Sequence, residues 1–491
     1  MRQYRYLAIA GVLITALAAT VAAKADGSGW IEIMTRETVL HKSAGSGWSD
    51  NRLTRGALVE WLGVEKDSWY QARMRNGEEG WVPTWLTAKA ASGARGPAAF
   101  APDERPGVGA PFYGRVVADF VSCRSVPYGG LNAKRDATRG GDLPKGSTVK
   151  LVDRIGHWFQ AQLAPAEFCW VYDEALSPAG RPARANSYFG IPVAKLSSAG
   201  SVSDKKGTGL EFTLSSQVPF EAVGAIIPEM VAFKLMGVDC GSSAKKVSSA
   251  CAEAGGWCHC EPESASIQGA IHAPALLAGY DAEWRGNVFR LYIHDSRLRP
   301  MKRIVIDPGH GAPQPFPKGY AEGTRNKDGL LEKDAVMTIS RHLADRLSAE
   351  GFDVLLTRDG DSERMMDLYE RLEFAERAKA DLFVSVHANG DVDASLEGVE
   401  VYWFEQQSRP AAEYIAVETA AATARSGGAA FFGSFAVIRT TSFPAVLVET
   451  GYMTNLAEGK RYNDPEFLRQ NADGIAKGII RFADSLKAAS N

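Results

Sequence analysis

The spacing of apolar positions changes once along the chain, near residue 300. Before that point apolar and polar residues alternate in short runs broken by Gly and Pro, the pattern of strands with one buried face. "GLEFTLSS", "MVAFKLMGV" and "NVFRLYIHD" are runs of this kind. After Lys302 the pattern switches to alternating strands and helices. "RIVID" reads as a buried strand, and "KDAVMTISRHLADRLSAEG" puts Val336, Ile339, Leu343 and Leu347 on one helical stripe that stops at Gly351. Strand "FDVLLTR", helix "RMMDLYERLEFAERAKA", strand "DLFVSVHAN" and strand "GVEVYWF" follow, then a helix near 411–425, strands "FAVIRT" and "AVLVETG", and a closing helix from about 465 to 487. This order predicts an α/β sandwich with a mostly parallel sheet, whose functional residues gather outside the carboxyl ends of the strands.

Two stretches of the β-rich half match each other. Residues 55–86 and 145–176 share a Gly, an alternating strand, a Trp-aromatic pair, a second strand and a terminal Trp-Val, so that Trp69 matches Trp158 and Trp81 matches Trp170. "TVLHKSAGSGW" and "FVSCRSVPYGG" take equivalent places upstream as the expected first strand and its loop. The repeats resemble bacterial SH3-like domains, small all-β barrels that in exported enzymes commonly bind the cell wall. Trp69 and Trp158 are expected in barrel cores, with Trp48 and Trp85 the weaker candidates for binding. The β-rich segment 188–300 resembles the AMIN domain that often precedes peptidoglycan amidases, apart from a cysteine-bearing insert. The expected organisation is a leader at 1–25, SH3-like domains at 26–88 and 112–177, linkers at 89–111 and 178–187, the AMIN-like domain at 188–300 and an α/β domain at 301–491.

The leader rests on Arg2 and Arg5, an apolar stretch from Tyr6 to Ala23, and the small-residue ending Ala23-Lys24-Ala25, which together read as a cleaved secretory signal. The competing reading is a membrane anchor. Cleavage removes three positive charges and no acids, moving the formal net charge from −3 to −6. An acidic exported chain disfavours nucleic-acid binding, and no later stretch is apolar enough to span a bilayer; periplasm and extracellular space both stay open. Six cysteines in an oxidising compartment predict disulfides. Cys123 and Cys169 are expected to pair across the second barrel, tying its first strand to its last. Cys240, Cys251, Cys258 and Cys260 allow several pairings, and a zinc site using His259 competes with them.

Chemistry concentrates in the last third. His310 follows "IVID", His387 ends "LFVSV", Glu449 ends "AVLV", and Glu332 opens the helix after the first strand. Parallel neighbouring strands would bring three of these positions together. Two imidazoles and a carboxylate make a zinc site with one open position, and the remaining carboxylate is left to act as a base. His157, His294 and His342 are read as structural.

"DPGHG", "LLEKDAV", "LLTRDGD", "SVHAN" and "PAVLVETGYMTN", in that order, resemble the motifs of the zinc-dependent N-acetylmuramoyl-L-alanine amidases over about 185 residues. The resemblance implies zinc bound by His310, Glu332 and His387, Glu449 as the catalytic glutamate, and peptidoglycan as the partner, cut between N-acetylmuramic acid and L-alanine. A protein activator is a further candidate partner. Asp307 is a candidate to orient His310, Arg439 to meet an anionic stem peptide or a developing oxyanion, and Asn389 to shape the site. Ala312 and the loop "PQPFPKGYAEGTRNKDG" depart from the family pattern. The short span between Phe404 and Phe435 implies that no helical plug blocks the site. The alternatives are a non-catalytic wall-binding regulator and a zinc peptidase that cuts within the stem peptide.

Overall fold

The computed structural model describes residues 29–44, 51–91, 94–101, 104–106, 112–125, 139–185, 190–226, 229–273, 276–297, 300–314, 319–361, 366, 368–425 and 427–488. The expected leader, Trp48 and parts of both linkers lie outside the described residues.

The chain is multidomain and β-rich up to residue 300. Residues 29–89 form a five-stranded sheet whose strands run, in spatial order, 79–83, 69–73, 58–66, 29–33 and 87–89. The expected first strands are in fact second in each repeat. Gly29–Ile33 precedes one and Phe112–Val116 the other, each pairing antiparallel with the long strand at 58–66 or 148–155. In the second repeat Cys123 and Cys169 are bonded. At the matching place in the first repeat stands Gly80, where a Cβ would meet the carbonyl of His41 and the side chain of Leu40.

The two repeats share apolar packing: Trp158, Trp170 and Tyr172 join Ile31, Leu53 and Val59 in one core. Trp69 and Trp158 are both buried, and Trp85 packs edge-on against Trp69 with ring centroids 5.5 Å apart. A sheet that begins in the second repeat continues past the linker through one residue pair, Asp142 with Phe220, into the strands at 220–226 and 229–236. In the segment after 188 all four cysteines are paired, Cys240 with Cys260 and Cys251 with Cys258, so none is left as a thiolate for zinc. The bridges anchor the helix Ala244–Glu253 and the residues before it to the strand Gly256–Glu261.

His157 sits where the repeats meet. Its Nδ1 lies 3.0 Å from Asp173 Oδ2 and 3.1 Å from Asn76 Nδ2. The bond to Asp173 outweighs desolvation and raises the histidine's pKa. Because the folded-state pKa lies above the unfolded one, the stabilisation is complete below the unfolded value and lost as pH rises through the folded value. Melting temperatures of the native chain and a His157→Gln variant are therefore expected to differ most in mild acid and to converge at alkaline pH.

The last domain holds a six-stranded mixed sheet. Its elements are β1 (Arg303–Pro308), α1 (Glu332–Ala349), β2 (Asp353–Leu356), α2 (Leu368–Ala378), β3 (Leu382–Asn389), β4 (Val399–Trp403), α3 (Arg409–Ala422), β5 (Gly428–Phe432), β6 (Ala445–Tyr452), α4 (Leu456–Arg461) and α5 (Pro465–Ala488). Spatial order is β2-β1-β3-β6-β4-β5, and only the β6–β4 pairing is antiparallel. β1 and β3 read as near-continuous apolar runs because helices cover both faces. Ile304, Ile306, Val384 and Val448 face α1, α3 and α5, whereas Val305, Phe383 and Leu447 face α2. Fully burying each such side chain contributes about 1.5–3 kcal/mol. The expected strand "FAVIRT" is instead a 3-10 turn, Ala436–Ile438, whose Val437 and Ile438 fill the core beside α2. The edge-strand place is taken by β5.

The domains touch through polar contacts. Arg36 binds Glu376 on α2 at 3.0 and 3.1 Å, Arg55 binds Glu373 on the same helix, and Asp281 accepts from Ser442 at 2.7 Å.

Candidate metal centre and active site

β1, β3 and β6 are parallel neighbours, so their carboxyl ends lie side by side. His310 stands just past β1, His387 lies near the end of β3, and Glu449 is its register partner on β6. Glu332 is the first residue of α1. Nε2 of His310 and Nδ1 of His387 each lie 3.0 Å from the same oxygen, Glu332 Oε1. Backbone amides hold the carboxylate: Thr324 donates to Oε2 at 2.8 Å and Ala388 to Oε1 at 3.1 Å. Burial would raise the Glu332 pKa, but the hydrogen bonds and charges of the two histidines hold it well below the usual carboxylate range. The three donor atoms all lie within 4.8 Å of one another. Two imidazoles and an ionised carboxylate, anchored by backbone N–H groups, fit zinc with three protein ligands and one open position.

The turn that carries His310 is strained and clamped. His310 has φ 59°, in the left-handed region, a conformation that costs about 1–3 kcal/mol and that histidine tolerates better than most residues. Two arginines restrain it through backbone carbonyls. Arg358 donates to Pro308 at 2.9 Å and Gly309 at 2.7 Å; Arg371 donates to Pro308 at 3.0 Å and His310 at 2.8 Å. Burial, reinforced by the charge of Arg371, brings the Arg358 pKa down to about 10, which leaves it charged near neutral pH.

Asp307 is 1% exposed and accepts from Thr357 at 2.6 Å, Arg371 at 2.7 Å and Ser385 at 2.7 Å. Desolvation alone would raise its pKa; Arg371 and the two hydroxyls outweigh that and lower it. The expectation that Asp307 orients His310 directly is therefore corrected. Strand alternation points its side chain toward α2, and it acts on the His310 backbone through Arg371.

Close approach fixes Gly309. A Cβ there would lie 2.6 Å from both ring nitrogens of His387. Gly309→Ala is expected to displace the His387 ring and to weaken zinc binding about 10-fold or more, measured by competition with a chelating dye.

Of the other expected site residues, Asn389 adjoins the cluster along β3 and Arg439 does not. Asn389 donates from Nδ2 to Glu400 at 3.3 Å and accepts at its backbone oxygen from Met453 at 2.8 Å, one residue pair beyond His387 and Glu449. Arg439 donates to the Ser434 carbonyl at 2.6 Å and the Tyr369 hydroxyl at 3.3 Å, and lies 5.9 Å from the centre of the Phe404 ring. None of these partners belongs to the His310 cluster. Arg439 instead lines a cavity of about 560 Å³ that Arg36, Arg124, Trp284 and Tyr369 also line. His294 pairs with Asp281 at 2.8 Å, a structural contact.

Sequence reading missed Arg358 and Arg371. Arg371 had a signal, since a charged residue beside Leu372 and Ala375 on the buried stripe of α2 needs a buried partner. Arg358 lies inside the quoted "LLTRDGD".

Residues 304–481 match the family described as N-acetylmuramoyl-L-alanine amidase. The uncharacterized protein YqiI of Bacillus subtilis is 32% identical over 187 residues, covering 37% of this chain and 85% of that protein. The N-acetylmuramoyl-L-alanine amidase LytC of Bacillus subtilis is 31% identical over 183 residues, but these span only 35% of LytC and 36% of this chain. Among solved structures, the amidase AmiC2 of Nostoc punctiforme is 34% identical, covering 37% of this chain and 97% of that one, with a TM-score of 0.34. Through residues 304–481, the chain belongs to the N-acetylmuramoyl-L-alanine amidase family.

Proposed function

We propose that the chain is an exported, zinc-dependent N-acetylmuramoyl-L-alanine amidase that hydrolyses the amide between the lactyl group of N-acetylmuramic acid and L-alanine in peptidoglycan. The observation that carries this reading is the convergence of His310, Glu332 and His387 beside Glu449, where the carboxyl ends of adjacent parallel strands meet the start of α1.

His310, Glu332 and His387 would hold the zinc. When bound, zinc supplies Lewis acidity toward the scissile carbonyl and lowers the pKa of water. Glu449 takes the proton of the attacking water and delivers it to the departing amine of L-alanine. Ala388 and Thr324 keep the Glu332 carboxylate turned toward the histidines, while Arg358 and Arg371 keep the His310 turn from relaxing.

The β-rich units carry the SH3-like and AMIN-like readings and bring the catalytic domain to the wall. The leader is removed after Ala25, which places the enzyme in the periplasm or outside the cell. No helix among the described residues is long and apolar enough to cross a membrane. Between Phe404 and Phe435 the chain is occupied by α3, packed against α5, and by β5. This packing supports the reading that the enzyme needs no plug to be withdrawn.

The test is hydrolysis of purified peptidoglycan by the chain from residue 26 onward, with zinc and with chelator, reading the released ends by mass spectrometry. Stem peptides with free L-alanine amino termini, lost on chelation, support the reading. Alanine retained on the sugar would instead identify a peptidase, and zinc binding without release a wall-binding regulator. Strict dependence on an added activator protein would overturn the absence of autoinhibition.

A further inference from the structure

We infer that Glu400, to which the motif reading gives no role, is a positioning residue for Glu449; the inference rests on the amidase reading above. Glu400 on β4 is the register partner of Glu449 on β6, which is in turn the partner of His387 on β3. The three residues form one row across the sheet. Paired residues project from the same face, and the positions two or four residues earlier or later, Phe383, Leu447 and Tyr402, lie in the core beside α2. Glu400 therefore shares the face of Glu449 and His387.

Two carboxylates directly opposite each other across an antiparallel pair repel. Glu400 is held there by donors from three different strands. Tyr402 on β4 donates to its Oε2 at 2.6 Å, Tyr452 on β6 to Oε1 at 3.0 Å, and Asn389 on β3 to Oε2 at 3.3 Å. Burial, together with the neighbouring Glu400, raises the pKa of both phenols, so that they remain donors across the working pH range.

The location of this clasp gives it its role. The β3–β6 register shifts between His387 and Asn389, immediately beyond the row that holds the chemistry. At such an irregularity the ladder alone fixes the two strands less firmly. Asn389 and Tyr452 are the pair just past the shift, and Glu400 binds both. A single carboxylate thus ties the strand that carries His387 to the strand that carries Glu449 where their ladder is irregular. Both of its oxygens accept hydrogen bonds within the protein, so Glu400 acts through Glu449 rather than on the substrate.

The test uses the full chain with zinc and a soluble N-acetylmuramoyl pentapeptide. Glu400→Ala is expected to lower kcat about 30-fold, with KM within about threefold and zinc still one per chain, the signature of a lost transition-state interaction. Glu400→Gln, which keeps one acceptor oxygen, is expected to recover most of that loss. In a Glu449→Gln background Glu400→Ala should cost no more than about twofold, because the residue it positions is gone. An undiminished kcat in Glu400→Ala, or an equal loss in both backgrounds, overturns the inference.

If Glu400→Ala fails to fold, Tyr452→Phe and Asn389→Ala each remove one donor and are expected to lower kcat about 3- to 10-fold. Unchanged rates in both would overturn the inference equally. A native chain that binds zinc yet releases no L-alanine-terminated peptide overturns the amidase reading and the inference with it. A native chain that is active while the variants match it overturns the inference alone.

Discussion

Glu449→Gln is expected to lower kcat/KM on peptidoglycan by about 10²–10⁴-fold, the range supplied by a positioned general acid or base. Glutamine keeps the shape of the side chain but has no basic oxygen. Attack by water then lacks its proton acceptor, and the amine must leave without a proton donor. The three proposed metal donors come from β3, from α1 and from the turn after β1, not from Glu449. Zinc content is accordingly expected to stay at one per chain and the melting temperature to stay close to that of the native protein. Steady-state hydrolysis, metal analysis and a thermal melt on one preparation check the prediction. Loss of zinc together with activity would make Glu449 a ligand and sink its assignment as the base.

Arg371→Leu carries the largest expected effect on stability, a loss of about 3–5 kcal/mol, as for a buried ion pair deprived of one partner. The substitution strands Asp307, 1% exposed, with two hydroxyls in place of a counter-charge. It also removes the donors to the Pro308 and His310 carbonyls, so the strained turn loses one of its two clamps. Equilibrium urea unfolding reads the stability loss, and zinc affinity should fall with it.

Asp307→Asn isolates the charge. Because the folded-state pKa of Asp307 is depressed, its contribution is present above the unfolded carboxylate value and is lost as pH falls through the folded one. The stability gap between the native chain and this variant is therefore expected to be full at neutral pH and to close in strong acid. A gap that stays constant down to strong acid would show that the carboxylate charge contributes nothing.

The sequence by itself determined the elements and the chemical inventory of this protein. A 3.6-residue stripe ending at Gly351, apolar runs stopping at His310, His387 and Glu449, and paired Trp positions in two repeats are local patterns. Local patterns survive in one dimension because burial on one face of an element dictates them. They sufficed to single out His310, Glu332, His387 and Glu449 as candidates and to predict disulfides in the cysteine-rich insert; the division into metal donors and base came from the resemblance to the amidase motifs. What the sequence left open depends on contacts between residues far apart in the chain. The pairing Cys240–Cys260 and Cys251–Cys258 was one of several compatible with the spacing. "FAVIRT" alternates like a strand, yet its apolar residues fill the space beside α2 while β5 takes the sheet edge.

Arg358 and Arg371 hold the His310 turn across roughly fifty to sixty residues of chain, and no spacing rule relates a guanidinium to a distant carbonyl. Asp307 changed role for the same reason: its partner was fixed by the packing of α2 on β1, not by its closeness in sequence to His310. Glu400 emerged only when strand order set β4 beside β6, because sheet register is a tertiary fact that turns positions 49 residues apart into neighbours. Hydrophobic periodicity thus decided most of the elements and which reactive groups sit at their ends, while long-range polar contacts in a low-dielectric interior decided how those groups are aimed.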